Sequence, residues 1–194
     1  LEIDNQYIMS PKDLCTIGFT DRMIEAGVRV FKIEGRARSP EYVRFVSSCY
    51  NEAVNSVLDG TYGREKIEIW MERLSAVFNR GFWDGYYLGR RLGEWTNRYG
   101  SSATMKKTYL GKITNFYTKP GVAEIKLENG DLSEGETILI TGPTTGALEI
   151  NVTGLRDAGK NESSKVCRGE LCSIKTPGRV RRSDKVFKWE RIPG

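Results

Sequence analysis

The sequence predicts two parts of different class, an α/β part over residues 1–102 and an all-β part over residues 103–194. Three observations carry this reading. Before residue 80, apolar residues recur at helical spacing in two long runs. Between helical patterns lies the short β-branched and aromatic run Val28 to Ile33, which ends in charged residues. After Ser102, short alternating runs are divided by Pro120-Gly121, Asn129-Gly130, Gly142-Pro143 and Ala158-Gly159, which are turn signals.

Each element follows from its residues. Ser10-Pro11-Lys12-Asp13 has the form of a helix start, with Ser10 as cap, Pro11 at the first helical position and Asp13 placed to complete a capping box. That helix is expected to end near Gly27. Val28 to Ile33 is expected as a strand. Ser39 then caps a second helix that begins at Pro40, where Tyr42, Phe45, Val46, Cys49, Tyr50, Ala53, Val54 and Val57 fall on one stripe. A third helix, about Arg64 to Asn79, repeats the pattern with Ile67, Trp70, Met71, Leu74, Val77 and Phe78. Helices alternating with strands imply parallel strands joined by crossovers.

The later runs are Thr108 to Phe116, Val122 to Leu127, Thr137 to Ile140, Leu148 to Val152, Glu170 to Ile174 and Lys185 to Lys188. Six short strands at close intervals read as a small antiparallel β-barrel. The boundary is expected between Tyr99 and Lys106, where Gly100-Ser101-Ser102 makes a flexible join.

Strand period places Lys32 and Glu34 on one face at the carboxyl end of the first predicted strand, and Arg36 follows in the turn before Ser39. In parallel α/β folds that end surrounds the ligand. Lys32, Glu34 and Arg36 are therefore the candidate catalytic residues. The alternative is a structural ion pair of Lys32 with Glu34, or of Glu34 with Arg36.

The stretch Lys32-Ile33-Glu34-Gly35-Arg36-Ala37-Arg38-Ser39-Pro40-Glu41-Tyr42 resembles the KIEGR segment of peptidase family U32, the collagenase-like proteases of unknown catalytic type. Two further blocks agree in order: Tyr7 to Cys15 is similar to a block ending KDLC, and Phe78 to Tyr86 to a block FNRGFxxGY. Ala37 and Arg38 stand where Met and Lys are frequent, and neither change removes a charge. The resemblance covers the family's C-terminal part. It implies the last βα units of a (β/α) barrel for residues 1–102, and a chain beginning with Leu1 in mid-fold is expected to be a fragment whose missing N-terminal part is a partner. The block from Gly111 to Ile138 resembles the second-domain barrel of translation elongation factors, which implies contact with RNA or a partner domain.

Composition excludes whole mechanisms. The chain has no His, so its own residues cannot assemble a Ser-His-Asp triad, a Cys-His pair, a His-Glu-x-x-His zinc site or a facial triad. Any catalysis falls to Lys, Arg, Asp, Glu, Cys or Tyr. Four cysteines without framework spacing fit reduced thiols and a cytoplasmic location. No signal peptide or run of roughly 18 apolar residues suggests a membrane.

Cys49 sits on an apolar helix stripe and is expected in the core. Cys167 and Cys172 lack a second pair and make a poor metal site. Cys15 stands at the Cys of the KDLC block. Resemblance to cluster-bearing family members implies that it is the last of four thiolate ligands of an iron-sulfur cluster in the full-length parent, the other three lying upstream. The alternative is a buried helix cysteine. One Cys holds no cluster, so no cofactor is expected in this chain alone.

The net charge is +5, and residues 151–194 alone carry eleven Lys and Arg against five Asp and Glu, a net +6. Arg179, Arg181 and Arg182 are the densest cluster and the candidate RNA-binding residues, with Phe187 and Trp189 as stacking groups. An ordinary solvated surface is the competing reading. In Arg80 to Arg91, Arg80 is a candidate anion site by forked hydrogen bonds, whereas Phe82 and Tyr86 are expected to pack.

Three functions are compatible with these residues. One is an RNA-modifying parent that hydroxylates a base, as the resemblance implies for some family members. A second is a collagenase-like peptidase with Glu34 as general acid or base. The third is a non-catalytic module that binds RNA or a partner.

Overall fold

The computed structural model describes residues 11–89, 94–96 and 100–193. Backbone contacts divide the chain into two compact units, Leu1–Thr104 and Met105–Gly194.

In the first unit, strand β1 (Asp13–Leu14) is followed by a 3-10 turn (Ile17–Phe19) and three helices: α1 (Thr20–Glu25), α2 (Pro40–Leu58) and α3 (Arg64–Ala76). Strand β2 (Phe82–Trp83) then pairs in parallel with β1, Asp13 opposite Phe82 and Leu14 opposite Trp83. Helix α2 begins as expected, with Pro40 in its first turn, although the Ser39 hydroxyl makes no capping bond. Its stripe of Val46, Cys49 and Ala53 packs with Ile17, Trp70, Leu74 and Val77 into one buried core. The indole of Trp70 donates to Glu52 at 3.0 Å, so even the polar edge of the largest core side chain is satisfied.

Two expectations are corrected here. The helix expected to open at Ser10 starts late: Ser10 lies outside the described residues, Pro11 bridges Trp95, Asp13–Leu14 is strand, and helix begins only at Thr20, ending at Glu25 beside the expected Gly27. The backbone before it goes sideways instead, since the Asp13 amide donates to Gly81 O and the Cys15 amide to Trp83 O, both at 2.9 Å. A residue whose amide feeds a neighbouring strand cannot also join a helical turn. Val28 to Ile33 is not a strand either. Alternation makes a segment fit for a ladder, but a strand also needs a neighbour, and among the described residues none pairs with it. The carboxyl-end argument for the candidate site therefore loses its strand, and the parallel alternation reduces to the β1–β2 pair.

The second unit is all antiparallel. Its strands are β3 (Met105–Tyr117), β4 (Val122–Leu127), β5 (Leu132–Ser133), β6 (Thr137–Gly142), β7 (Gly146–Asn151), β8 (Lys165–Val166), β9 (Leu171–Lys175) and β10 (Lys185–Arg191). Six of them form a sheet in the order β7-β6-β10-β3-β4-β9, and β5 pairs with β8. The six predicted strands are present; the two-residue β5 and β8 are additional. Inward residues of all eight strands, among them Leu110, Ile125, Leu132, Ile140, Ile150, Val166, Ile174 and Val186, make one core. The sheet's ladder ends at β7 and β9, and Arg156, downstream of β7, bridges Ser173 of β9. Gly111 has no room for a side chain: a Cβ would lie 1.9 Å from the Lys126 carbonyl oxygen.

Candidate functional site

Lys32, Glu34 and Arg36 are exposed and line one open cleft of about 900 Å³ in the first unit. Arg80 lines the same cleft. Four of the predicted site residues thus come together without the predicted strand. What holds Glu34 is a turn. Its Oε1 accepts from the Arg36 amide at 2.7 Å, the Arg38 amide donates to Gly35 O at 3.0 Å, and Ala37 takes the left-handed conformation at φ 57°. The tight turn leaves Glu34 and Arg36 exposed and turns Arg38 onto Asp13 before Pro40 starts α2. The ion pair expected as the structural alternative is absent among the described residues, where Glu34 is engaged by a backbone amide instead.

The wall of the cleft rests on two residues whose side chains the sequence reading assigned no role in the site. Asp13 Oδ1 receives Arg38 Nη2 at 3.2 Å, and its Oδ2 accepts from the Arg80 amide at 2.8 Å. The Arg38 guanidinium also stands over two rings, 4.3 Å from the centroid of Phe78 and 5.1 Å from that of Tyr42. A stacked and paired guanidinium loses its freedom before any ligand arrives. The signal was present in the KDLC and KIEGR blocks, but Asp13 read locally as a helix cap hides a contact across the fold.

Tyr50 forms the floor. Its hydroxyl accepts from the Thr16 amide at 2.9 Å, and burial, with the neighbouring Cys15 next, pushes it up to about 12. It stays protonated near neutrality. Behind it, Cys15 is half-buried, with Sγ 3.9 Å from Met71 Sδ and 4.0 Å from the Tyr50 hydroxyl. Burial raises its thiol above the ordinary value, which keeps it protonated and a poor nucleophile.

An iron-sulfur cluster needs several thiolates on one centre, and no group of three metal-ligating side chains occurs among the described residues. Cys49 is buried and donates to Trp70 O at 3.9 Å, and Cys172 is buried in the second unit. The described residues do not by themselves fit a cluster.

Arg179, Arg181 and Arg182 belong to the second unit, in the segment between β9 and β10, apart in sequence from the cleft residues. Phe187 stacks edge-on against Tyr109 at 5.6 Å, and Trp189 is buried. The predicted stacking groups are thus partly taken up in packing.

Comparison with known proteins places this geometry in a family. Residues 2–97 match Peptidase family U32, and the chain belongs to that family. It is 53% identical over 191 residues to a protein of Porphyromonas gingivalis named collagenase, covering 98% of this chain and 53% of that protein. It is 28% identical over 124 residues to tRNA hydroxylation protein P of Haemophilus influenzae, covering 63% of this chain and 26% of that protein. The C-terminal domain of a U32 peptidase of Geobacillus thermoleovorans is similar to 42% of this chain and 91% of its own, with 15% identity and a TM-score of 0.40. The chain spans about half the length of two curated relatives, 53% of the collagenase-named protein and 45% of an uncharacterized protease of Methanocaldococcus jannaschii. No helix among the described residues is long and apolar enough to cross a membrane.

Proposed function

We propose that this chain is the anion-binding and substrate-positioning part of an enzyme that hydroxylates an RNA base. The observation that carries the reading is the make-up of the cleft: Lys32, Arg36, Arg38 and Arg80 line it with Glu34, Asp13 holds Arg38 in place, and the chain contains no His. Guanidinium groups suit the forked recognition of phosphate oxygens, and that of Arg38 is fixed in advance. A nucleophile with a matched base, the arrangement of serine and cysteine proteases, is not assembled by the described residues. The similarity to tRNA hydroxylation proteins supports the same substrate class. In this reading Lys32 and Arg36 hold phosphate, Arg80 assists, and Glu34 accepts or returns a proton near the base. The iron-sulfur cluster, its three remaining thiolates, the closed (β/α) barrel and a cytoplasmic setting belong to the same proposal for the longer protein.

Peptide hydrolysis is the second reading, favoured by the 53% identity to a protein named collagenase and by the carboxylate of Glu34 in an open cleft. One experiment separates them. Total tRNA and rRNA from cells with and without the intact gene are digested to nucleosides and weighed, and lysates of the same cells are assayed on gelatin. Loss of a nucleoside one oxygen atom heavier than its parent, restored by the wild-type gene and not by Arg36→Ala, is the expected result. An unchanged nucleoside set with gelatin cleavage lost overturns it in favour of the peptidase.

A further inference from the structure

The segment from Thr176 to Asp184, between β9 and β10, is a strap rather than a loose loop. At its start the Thr176 amide donates to Gly121 O at 2.9 Å, which ties it to the β3–β4 turn. At its end the Ser183 amide donates to Ile113 O and the Ile113 amide to Asp184 O, both at 2.9 Å, which ties it to β3. Between these anchors Val180, 1% exposed, enters the core of the unit. Asp184 is 3% exposed and is spent inside the fold, its Oδ2 accepting from the Arg181 amide at 2.8 Å and from the Thr145 hydroxyl. The strap is therefore pinned at both ends and in the middle.

The pinning has a consequence for its charges. With Val180 turned inward, its neighbours Arg179 and Arg181 are carried outward or along the surface. Arg179 and Arg182 are exposed and Arg181 half-buried. Exposed Lys175 and Lys185 flank the strap, and exposed Lys119 lies in the β3–β4 turn that anchors it. None of these six cations makes an ion pair among the described residues, whereas Lys112, Lys165 and Lys188 of the same unit all do. The single carboxylate of the strap is buried beneath it. A fixed row of uncompensated cations raises local potential and suits a chain of repeated negative charge.

We infer that this strap is a docking rail for the phosphate backbone of RNA, separate in sequence from the cleft. The inference rests on the RNA reading of the protein, and it adds a second contact that would grip the substrate away from the base being modified. Arginine in place of lysine at all three strap positions favours paired hydrogen bonds to phosphate oxygens.

The test uses the full 194-residue chain and a fluorescent, unmodified tRNA transcript, with affinity measured over a series of KCl concentrations. Each neutralised phosphate contributes about 0.7–0.9 to the slope of log affinity against log salt. Arg179→Ala with Arg182→Ala, two exposed positions whose loss leaves the Val180 plug intact, is expected to lower the slope by about 1.4–1.8 and to weaken binding at low salt. Arg179→Lys with Arg182→Lys is expected to keep the slope. An unchanged slope in the Ala variant, with its melting temperature also unchanged, overturns the inference. So does equal binding of poly-glutamate or of vesicles rich in phosphatidylserine, which would mark a general anion surface. The nucleoside assay above fails or succeeds independently of this binding curve, so loss of one reading is distinguishable from loss of the other.

Discussion

Asp13 and Arg38, 25 residues apart in the chain, form an ion pair at 3.2 Å in which both side chains are about four-fifths shielded from water. The same carboxylate accepts from the Arg80 backbone amide, so one acid residue holds the Arg38 side chain and the Arg80 backbone. Asp13→Asn keeps the shape and one hydrogen-bonding oxygen but removes the charge opposite Arg38. We expect a loss of stability on the order of 1 kcal/mol, the scale of a partly shielded pair, and weaker phosphate binding in the cleft. Urea unfolding and titration with inorganic phosphate check the two effects; wild-type values in both would show that Arg38 is held by its rings alone.

Glu34 is positioned by the Arg36 amide, and Gln offers the same accepting oxygen. Glu34→Gln is therefore expected to fold normally in the longer protein. Its product formation should fall by about a hundredfold or more, the scale of a lost acid or base. Melting temperature and nucleoside yield, measured on one variant, separate this from a purely structural role. Full activity would remove Glu34 from the catalytic assignment.

The network on the outer side of α2 gives a pH dependence. Arg73 donates to Glu52 at 2.5 Å, and Ser48 and Trp70 donate to the same carboxylate. These contacts, Arg73 first, hold Glu52 down to about 2 from the ordinary 4.5. Its folded value is depressed, so the stabilisation is complete above pH 4.5 and is lost as the pH falls from there toward 2. Glu52 is 43% exposed, and solvent screens the effect to a modest size. The melting-temperature difference between wild type and Glu52→Gln should shrink across that window and stay flat from pH 5 to 7. A difference independent of pH would place the contribution in packing.

Gly111→Ala tests the second unit. The added Cβ would meet a backbone oxygen of the paired strand, Lys126, at the Gly111–Leu127 end of the β3–β4 ladder, where β3 also pairs with β10 and β4 with β9. Neither strand can yield without breaking pairs on its far side. We expect a loss of at least about 2 kcal/mol, read as a lower denaturant midpoint with an unchanged slope.

The parts legible in the sequence are those fixed by local period. Helices α2 and α3 announce themselves by apolar stripes and by Ser39-Pro40, and the six long strands by alternation between Gly and Pro turns. The parts that were not legible depend on distant neighbours. Pro11-Lys12-Asp13 carries a helix-start signal, yet its amides are claimed by Gly81 and Glu94, far along the chain. Val28 to Ile33 has the pattern of a strand and no described partner. In the site, Lys32, Glu34, Arg36 and Arg80 were visible because clustered charge shows in sequence, and the first three share one block. Asp13 was not, because a plausible local role as a cap concealed its contact with Arg38. Strands of two residues such as β5 and β8 have too little period to read.

The position of β10 in the sheet bears on how the second unit is made. It is the last of the six strands to leave the ribosome, yet it lies between β6 and β3. Until Lys185–Arg191 emerges, the β6–β7 hairpin and the β3–β4–β9 ribbon lack the strand that pairs with both, and each keeps an apolar face and an unpaired edge toward the other, with the Arg156–Ser173 bridge as a link on the far side. Unpaired edges recruit foreign strands. A ribosome stalled before Lys185 would thus present the cell with two sticky halves in search of a seam, and chaperone demand during synthesis should peak just before those seven residues appear.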